Sequence, residues 1–261
     1  MVGVITLYST WGLTKERVSL QEWFEGLRRQ FVLNFIVDDR WRLLWNGLGV
    51  TLRITFFALL IGLTIGVIVA IVRSTHDKNI SGMRRGPLRI MLRLMNLICR
   101  LYLTVIRGTP IVVQLMIFFF IILVSVRSGV IIGILTFGIN SGAYIAEIFR
   151  SGIMAIDNGQ FEAGRSLGFN YLQTMRYIIV PQAFKNTLPT LVNEFIVLLK
   201  ETAVVGYVAV QDITKAGDII RGRTFSPFLP LIAVAIVYLI LVMFFTWLVG
   251  RLERRLRSSE R

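Results

Sequence analysis

The chain has one cysteine and one histidine, Cys99 and His76, among its 261 residues. A single cysteine excludes an intrachain disulfide and a cysteine-based metal cluster. With only one histidine as well, neither a zinc site nor histidine-dependent acid–base catalysis is expected, and no metal ligands are assigned. The first ten residues lack a basic stretch followed by an apolar run, so we expect no cleavable signal peptide.

Charged residues are scarce, at 17% of the sequence, whereas 55% of the residues are hydrophobic and fall in blocks. A helix needs roughly 20 mostly apolar residues to cross the hydrocarbon core of a bilayer. The chain offers several such blocks and therefore reads as an all-α integral membrane protein. We expect an amphipathic segment at 1–46, a transmembrane region at 47–250 and a basic tail at 251–261, with spans near 48–72, 102–126, 129–149, 187–207 and 228–249.

Basic residues exceed acidic ones and give a net charge of +14. They crowd the segments between apolar blocks, as in cytoplasmic loops, and no recognition motif or aromatic–basic platform indicates nucleic-acid binding. The segments 73–108, 150–187 and 250–261 carry eight, four and five Lys or Arg, against ten on the other side. This count predicts an outside N-terminus and a cytoplasmic C-terminus.

The N-terminal segment has apolar residues at helical spacing, namely Leu20, Trp23, Phe24, Leu27 and Phe31. Ser19 and Glu22 have the spacing of a capping box at the start of this helix. An amphipathic helix of this kind lies on a membrane surface or packs against the spans of its own chain. The sequence favours neither.

A second amphipathic stretch precedes the second predicted span. Arg89, Arg93, Arg100 and Arg107 fall within about 40° of one another on a helix. We expect this helix to run along the inner surface before the chain turns into the membrane. Its arginines either reach lipid headgroups or pair with a partner.

The loop at 150–187 is longer than a simple connection requires. A helix-start signal at Asp157 and Asn158 precedes a short amphipathic stretch that ends at Gly168. Pro181 follows 13 positions after Gly168. A short helix protruding at the cytoplasmic face could receive a push from a motor subunit. The candidate coupling residues are Gln160, Glu162, Ala163, Arg165 and Gly168.

The spacing of Glu162, Ala163, Gly168, Ile178 and Pro181 resembles the EAA loop of binding-protein-dependent ABC importers. In that family a short coupling helix of the permease docks in a groove on the ATP-binding subunit. Gly164 stands where the family commonly has a second alanine, and glycine should loosen the helix by roughly 0.5–1 kcal/mol. Val180 stands where leucine is commoner.

Flanking segments narrow the resemblance to the polar amino acid permeases, which include importers of histidine, arginine, glutamine and glutamate. The similar segments are Arg107-Gly108-Thr109-Pro110, Ala143–Arg150, Asn193-Glu194 and Lys200-Glu201-Thr202. The resemblance covers roughly residues 45–250 and implies a type I ABC importer fold. The family usually has Lys-Asp-Thr-Ser-Leu where this chain has Lys200-Glu201-Thr202-Ala203-Val204, so an acid is kept but lengthened.

Ionisable residues at membrane depth usually face the protein interior or a water-filled path. Glu147 and Arg150 are three residues apart and predict a structural ion pair, while Asn140 and Tyr144 on the same face could line a path.

In the fourth span, Glu194 and Glu201 share a face, and Lys200 lies about 100° away. The lysine and the two acids offer both counter-charges that an amino acid requires, and Asn193 is a further candidate for the substrate path. The alternative is that Lys200, Glu201 and a partner helix merely neutralise one another.

The phosphate-binding sequence Gly-x-x-x-x-Gly-Lys-Ser/Thr is absent, so ATP and Mg are expected on a separate subunit. The resemblance implies a non-catalytic permease subunit that works with two ATPase copies, a second identical or homologous permease chain and an external solute-binding protein. A permease for another small polar solute remains an alternative. A secondary transporter would need an internal repeat, and none is visible. A membrane scaffold would leave the buried charges unexplained.

Overall fold

The computed structural model describes residues 5–6, 17–18, 20–80 and 82–258. Two short antiparallel strands, Ile5–Thr6 (β1) and Arg17–Val18 (β2), precede the helical part. The helices are α1 (Leu20–Phe31), α2 (Trp41–Asn79), α3 (Pro87–Gly108), α4 (Ile111–Ile117), α5 (Gly129–Met154), α6 (Asn158–Ser166), α7 (Tyr171–Thr174), α8 (Val180–Glu201), α9 (Ile213–Thr224) and α10 (Phe228–Ser258). Ser19 of the predicted capping box lies outside the described residues.

Short turns of other helical types extend these helices. They are π-helical at Val32–Ile36, Phe118–Ile122 and Met175–Ile179, and 3-10-helical at Val37–Asp39 and Thr202–Val208. The bounds of the first and last predicted spans differ from those of the helices. Helix α2 starts before residue 48, and α10 continues to Ser258, so the described part of the predicted tail belongs to the last helix.

Within the described residues, three helices are long and apolar enough to cross a membrane, namely α2, α5 and α10. A fourth span results if α3 is taken together with the helix at Ile111–Ile122. Helix α8 has 22 residues but is too polar to qualify by composition. The expected five spans therefore exceed what helix length and composition support, because the fourth predicted span is the polar α8 and ends at Glu201.

The second predicted span, 102–126, is not one helix. Helix α3 ends at Gly108, and the chain resumes at Ile111 after a bend of 109°. Thr109 is extended, as expected before Pro110, because a proline disfavours the helical conformation of the preceding residue. The prediction of one continuous span at 102–126 is therefore wrong, because Pro110 interrupts the helix within it.

Helices α2 and α5 form the centre of the bundle. Gly62 on α2 faces Gly138 and Gly142 on α5, and Gly66, one helical turn further along α2, faces Ile145 and Ala146. A Cβ added at Gly62 would lie 3.2 Å from the backbone nitrogen of Gly142. Small residues at this spacing let helix backbones approach closely in membranes.

The two ends of the bundle differ. At one end, which we call the α9 end, the backbone nitrogen of Ile213 donates to the hydroxyl of Thr51 near the start of α2. At the opposite α6 end, the last turn of α2 reaches α6 through Lys78. Helices α2 and α10 begin at the α9 end. Helices α5 and α8 run between the α9 end and the α6 end.

The N-terminal helix is tied to the α9 end. Asn34 is fully buried, donates to Gln30 and Ser226, and accepts from Thr224 at 2.7 Å. Phe24 and Phe31 nevertheless keep exposed apolar rings. The segment after α1 therefore packs against its own chain, and the exposed face of α1 remains available to a membrane surface.

Candidate functional site

Helix α6 presents the predicted coupling residues to solvent. Asp157 caps its first turn by accepting from the backbone nitrogen of Gly159 at 2.6 Å, and Gly168 ends the motif at a φ of +82°. This left-handed conformation favours glycine. The candidates Gln160, Glu162, Ala163, Arg165 and Gly168 are all exposed. They form a polar surface that a partner could contact.

The opposite face of α6 is anchored in the protein. Phe161 is buried in an apolar cluster with Ile153, Met175 and Ile179 among its members. The ammonium group of Lys78 lies 3.4 Å from the centroid of the Phe161 ring, a cation–π contact. A groove of about 720 Å³, lined in part by Lys78, Glu162 and Arg165, opens beside this contact. Helix α2 thus touches α6 directly, through two residues that are too far apart in the chain for the contact to be predicted.

Gly164 lies on the buried side of α6. A Cβ at this position would lie 2.6 Å from Cγ2 and 2.7 Å from Oγ1 of Thr174. Thr174 is buried and its hydroxyl donates to the carbonyl of Asn170 at 3.0 Å. Gly164 therefore leaves room for Thr174. Helix propensity alone does not describe this effect of the glycine.

Glu147 and Arg150 are in contact at 3.0 Å, and two further residues join them. Arg73 of α2 reaches the other oxygen of Glu147 at 3.2 Å, and Arg150 lies 3.7 Å from Asp77. The four residues connect α2 to α5 near the α6 end. Only the pair within α5 could be predicted from spacing, because Arg73 and Asp77 are distant from it in the chain.

Asn140 and Tyr144 do not line one surface. Asn140 is buried and donates to Gln114 Oε1 at 3.0 Å. The amide nitrogen of Gln114 donates to the carbonyls of Ile106 and Thr109, which the bend would otherwise leave unpaired. Asn140 thus helps to hold the break between α3 and α4. Tyr144 is exposed, and the guanidinium of Arg107 lies 5.4 Å from its ring centroid.

Helix α8 carries an exposed polar stripe. Its polar members are Asn186, Thr190, Asn193 and Lys200, and the apolar Val197 lies among them on the same exposed face. Glu194 and Glu201 lie beside the stripe and are half-buried. Glu194 accepts a hydrogen bond from Ser141 of α5 at 3.1 Å. Within the described residues, Lys200 and Glu201 do not approach closely enough to form an ion pair.

The exposed faces of the other long helices are apolar. Helix α10 exposes residues such as Leu239, Ile240 and Met243, and α2 exposes Leu60 and Ile68. These faces suit a lipid environment. The polar stripe of α8 does not, because polar groups exposed to hydrocarbon are costly.

The α9 end carries a smaller groove of about 380 Å³, lined in part by Tyr207, Lys215, Asp218 and Arg221. Asp218 accepts hydrogen bonds from the side chains of Lys215 and Arg221. These bonds hold the pKa of Asp218 below its ordinary value, so the carboxylate stays ionised.

The fold and the exposed α6 define a helical membrane subunit of a transport system. The chain belongs to the family of binding-protein-dependent transport system inner membrane components, whose model matches residues 62–258. This match and the relatives described next confirm two predictions, the all-α fold and the resemblance to an ABC permease. Membership also makes the chain a multi-pass inner membrane protein, in a family that works with ATPase and solute-binding partners.

Several relatives cover most of the chain. A Rickettsia bellii protein that carries the name of a glutamine transport system permease protein, GlnP, is 36% identical over 82% of this chain and 93% of its own length. The arginine transport system permease protein ArtQ of Bacillus subtilis is 34% identical over 82% and 93%.

Among solved structures, a chain titled as an amino acid ABC transporter with histidines has a TM-score of 0.72 and 38% identity, and covers 85% of this chain and 98% of its own. A chain of the inward-facing MetNI methionine ABC transporter has a TM-score of 0.67 at 23% identity, covering 82% and 96%. The second similarity concerns the fold alone.

Proposed function

We propose that this chain forms half of the translocation path of an ATP-driven amino acid importer, and that the polar stripe of α8 faces the substrate. The observation that carries the proposal is the exposure of Asn193 and Lys200 on a helix that packs among membrane spans. A polar stripe at that depth requires water or a second protein chain beside it. Two permease chains facing each other would supply both, whether the chains are identical or homologous.

The charges of α8 favour a polar or basic amino acid. Lys200 could meet the carboxylate of the substrate, and Glu194 and Glu201 could meet its ammonium group or a cationic side chain. Two carboxylates against one lysine leave a negative surplus. The names of the relatives, which include arginine and glutamine transport, support the same class of cargo.

In the proposed assembly, α6 lies in the cytoplasm and contacts an ATPase subunit. The N-terminus is outside and the C-terminus inside, as the distribution of Lys and Arg predicts. Two ATPase copies bind ATP and Mg, and this chain hydrolyses nothing. An external binding protein delivers the substrate at the α9 end, where Asp218 and its two basic neighbours form a charged surface. ATP-driven closure of the ATPase pair would move α6 and alternate the access of the path.

The proposal is tested by substituting Lys200 in a complex reconstituted with its ATPase and binding protein. Lys200→Met should lower the uptake of labelled arginine and glutamine at least about tenfold, since a lost charged contact commonly costs about 2–5 kcal/mol. Lys185→Met is the matched control, because Lys185 is exposed on the same helix but lies near the α6 end. It should retain uptake within about twofold, because surface substitutions usually have small effects.

Glu194→Gln refines the test. If Glu194 faces a cationic group, this change should reduce arginine uptake far more than glutamine uptake. Equal and mild losses for Lys200→Met and Lys185→Met, with both complexes intact on purification, would overturn the assignment of the stripe to the path.

A further inference from the structure

Helix α3 and the turn before it carry an uncompensated positive charge. No Asp or Glu occurs between Asp77 and Glu147. The arginines of α3 and of the turn before it are Arg84, Arg85, Arg89, Arg93, Arg100 and Arg107. None of them forms an ion pair within the part of the chain that the structure describes. Their guanidinium groups are therefore open to an anion from outside the chain.

Two of these arginines line a groove between α3, α2 and α5. The groove has a volume of about 450 Å³, and its polar lining comes from Arg73, Arg100, Thr104, Arg107 and Glu147. Arg73 is already paired with Glu147, which also binds Arg150. Arg100 and Arg107 are thus the surplus charges of the groove. The Thr104 hydroxyl adds a neutral donor to them.

An apolar stripe runs along α3 beside the groove. Leu97, Leu101 and Val105 are exposed and recur every four residues, so they share one face of the helix. At 100° per residue, Thr104 lies between Arg100 and this stripe. The ligand that suits this surface has an anionic group at one end and a hydrocarbon chain beside it. A soluble protein would leave the apolar stripe unexplained, and a small anion would not use it.

We propose that this groove binds an anionic phospholipid, with the headgroup phosphate between Arg100 and Arg107 and an acyl chain along Leu97, Leu101 and Val105. Basic pockets between helices on the cytoplasmic side of membrane proteins are suited to such headgroups. The groove lies towards the α6 half of the bundle, next to Glu147. The lipid therefore belongs to the inner leaflet, an assignment that rests on the proposed orientation, whereas the binding itself does not.

The test measures lipid retention by native mass spectrometry of the detergent-purified complex with its ATPase, titrated with phosphatidylglycerol or with phosphatidylcholine. The double variant Arg100→Gln/Arg107→Gln should retain at least about tenfold less phosphatidylglycerol, because each basic residue near an anionic surface contributes about a fivefold factor. Arg84→Gln/Arg85→Gln removes the same charge outside the groove and is the matched control. It should lose less than about threefold, and phosphatidylcholine should bind equally to all variants.

Thr104→Leu keeps every charge and fills the groove, so it tests the site if the double variant assembles poorly. It should also lower phosphatidylglycerol retention. A large excess of inorganic phosphate should leave the retained lipid in place, since phosphate lacks the acyl chain. Equal retention in the groove and control variants would overturn the proposal. Loss of the second permease chain from the Arg100→Gln/Arg107→Gln complex, with lipid retention unchanged, would do so too and would assign the arginines to a protein contact.

Discussion

Replacing Gly164 with alanine sets helix propensity against packing at one position of α6. The added Cβ would lie 2.6 Å from Thr174 Cγ2, whereas carbon atoms in contact prefer about 3.5–4.0 Å. The Ile178 side chain lies on the same side, at 3.2 Å from that Cβ. Thr174 has little freedom to move, because it is buried and donates to the carbonyl of Asn170. The overlap must be relieved by shifting α6.

Two opposing effects determine the result. Alanine is more favourable than glycine in a helix interior by about 0.5–1 kcal/mol. Forcing an extra methyl group into a packed site typically costs about 1–3 kcal/mol. We expect the second effect to prevail by about 1–2 kcal/mol, which corresponds to a factor of about 5–30 in the opening equilibrium of the helix.

Amide hydrogen exchange across residues 161–167 measures this opening directly. Exchange in Gly164→Ala should be faster by that factor, and Gly164→Ala/Thr174→Ala should recover much of the protection because both obstructing atoms are gone. Gly26→Ala in α1 is the control, since an added Cβ there meets nothing within 4 Å. It should slow exchange in its own helix. If Gly164→Ala alone slows exchange in α6, helix propensity is decisive and the packing argument is wrong.

Two further predictions concern coupling and topology. Glu162→Lys should leave the chain inserted but abolish ATP-driven uptake, because Glu162 is exposed on the surface that we propose contacts the ATPase. The same charge reversal at Glu25 should leave uptake unchanged. Wild-type uptake by an intact Glu162→Lys complex would remove α6 from the coupling path. In a Cys99→Ser chain, a cysteine at Ser166 should resist an impermeant maleimide in intact cells, and one at Gln211 should label. The opposite labelling would reverse the proposed orientation.

The long apolar helices could be predicted from the sequence because burial in lipid leaves a continuous signal. The segments that form α2, α5 and α10 are each long and apolar enough to cross a bilayer, whatever their neighbours. The start of α6 could also be predicted from the sequence, because Asp157 caps its first turn and Gly168 follows shortly after its last residue. Both signals depend on residues close together in the chain.

Features that depend on distant residues were missed. The bend after Gly108 is held by Gln114, whose role depends on Asn140 across the bundle. Gly164 is explained by Thr174, ten residues later and after a turn. Pro110 was the one local signal for the bend, because a residue before proline disfavours the helical conformation.

The contacts around α2 explain how a push on α6 could reach the path. Helix α6 is fixed to α2 through Lys78 and Phe161, and α2 is fixed to α5 by close glycine packing and by the ion pairs of Glu147. Helix α5 in turn contacts α8 through the bond between Ser141 and Glu194. Since close-packed interfaces transmit displacement rather than absorb it, movement of α6 should carry α2 and α5 together and shift the surroundings of Glu194. The Glu194 carboxylate therefore belongs both to the charge set of α8 and to the route by which α6 would change it.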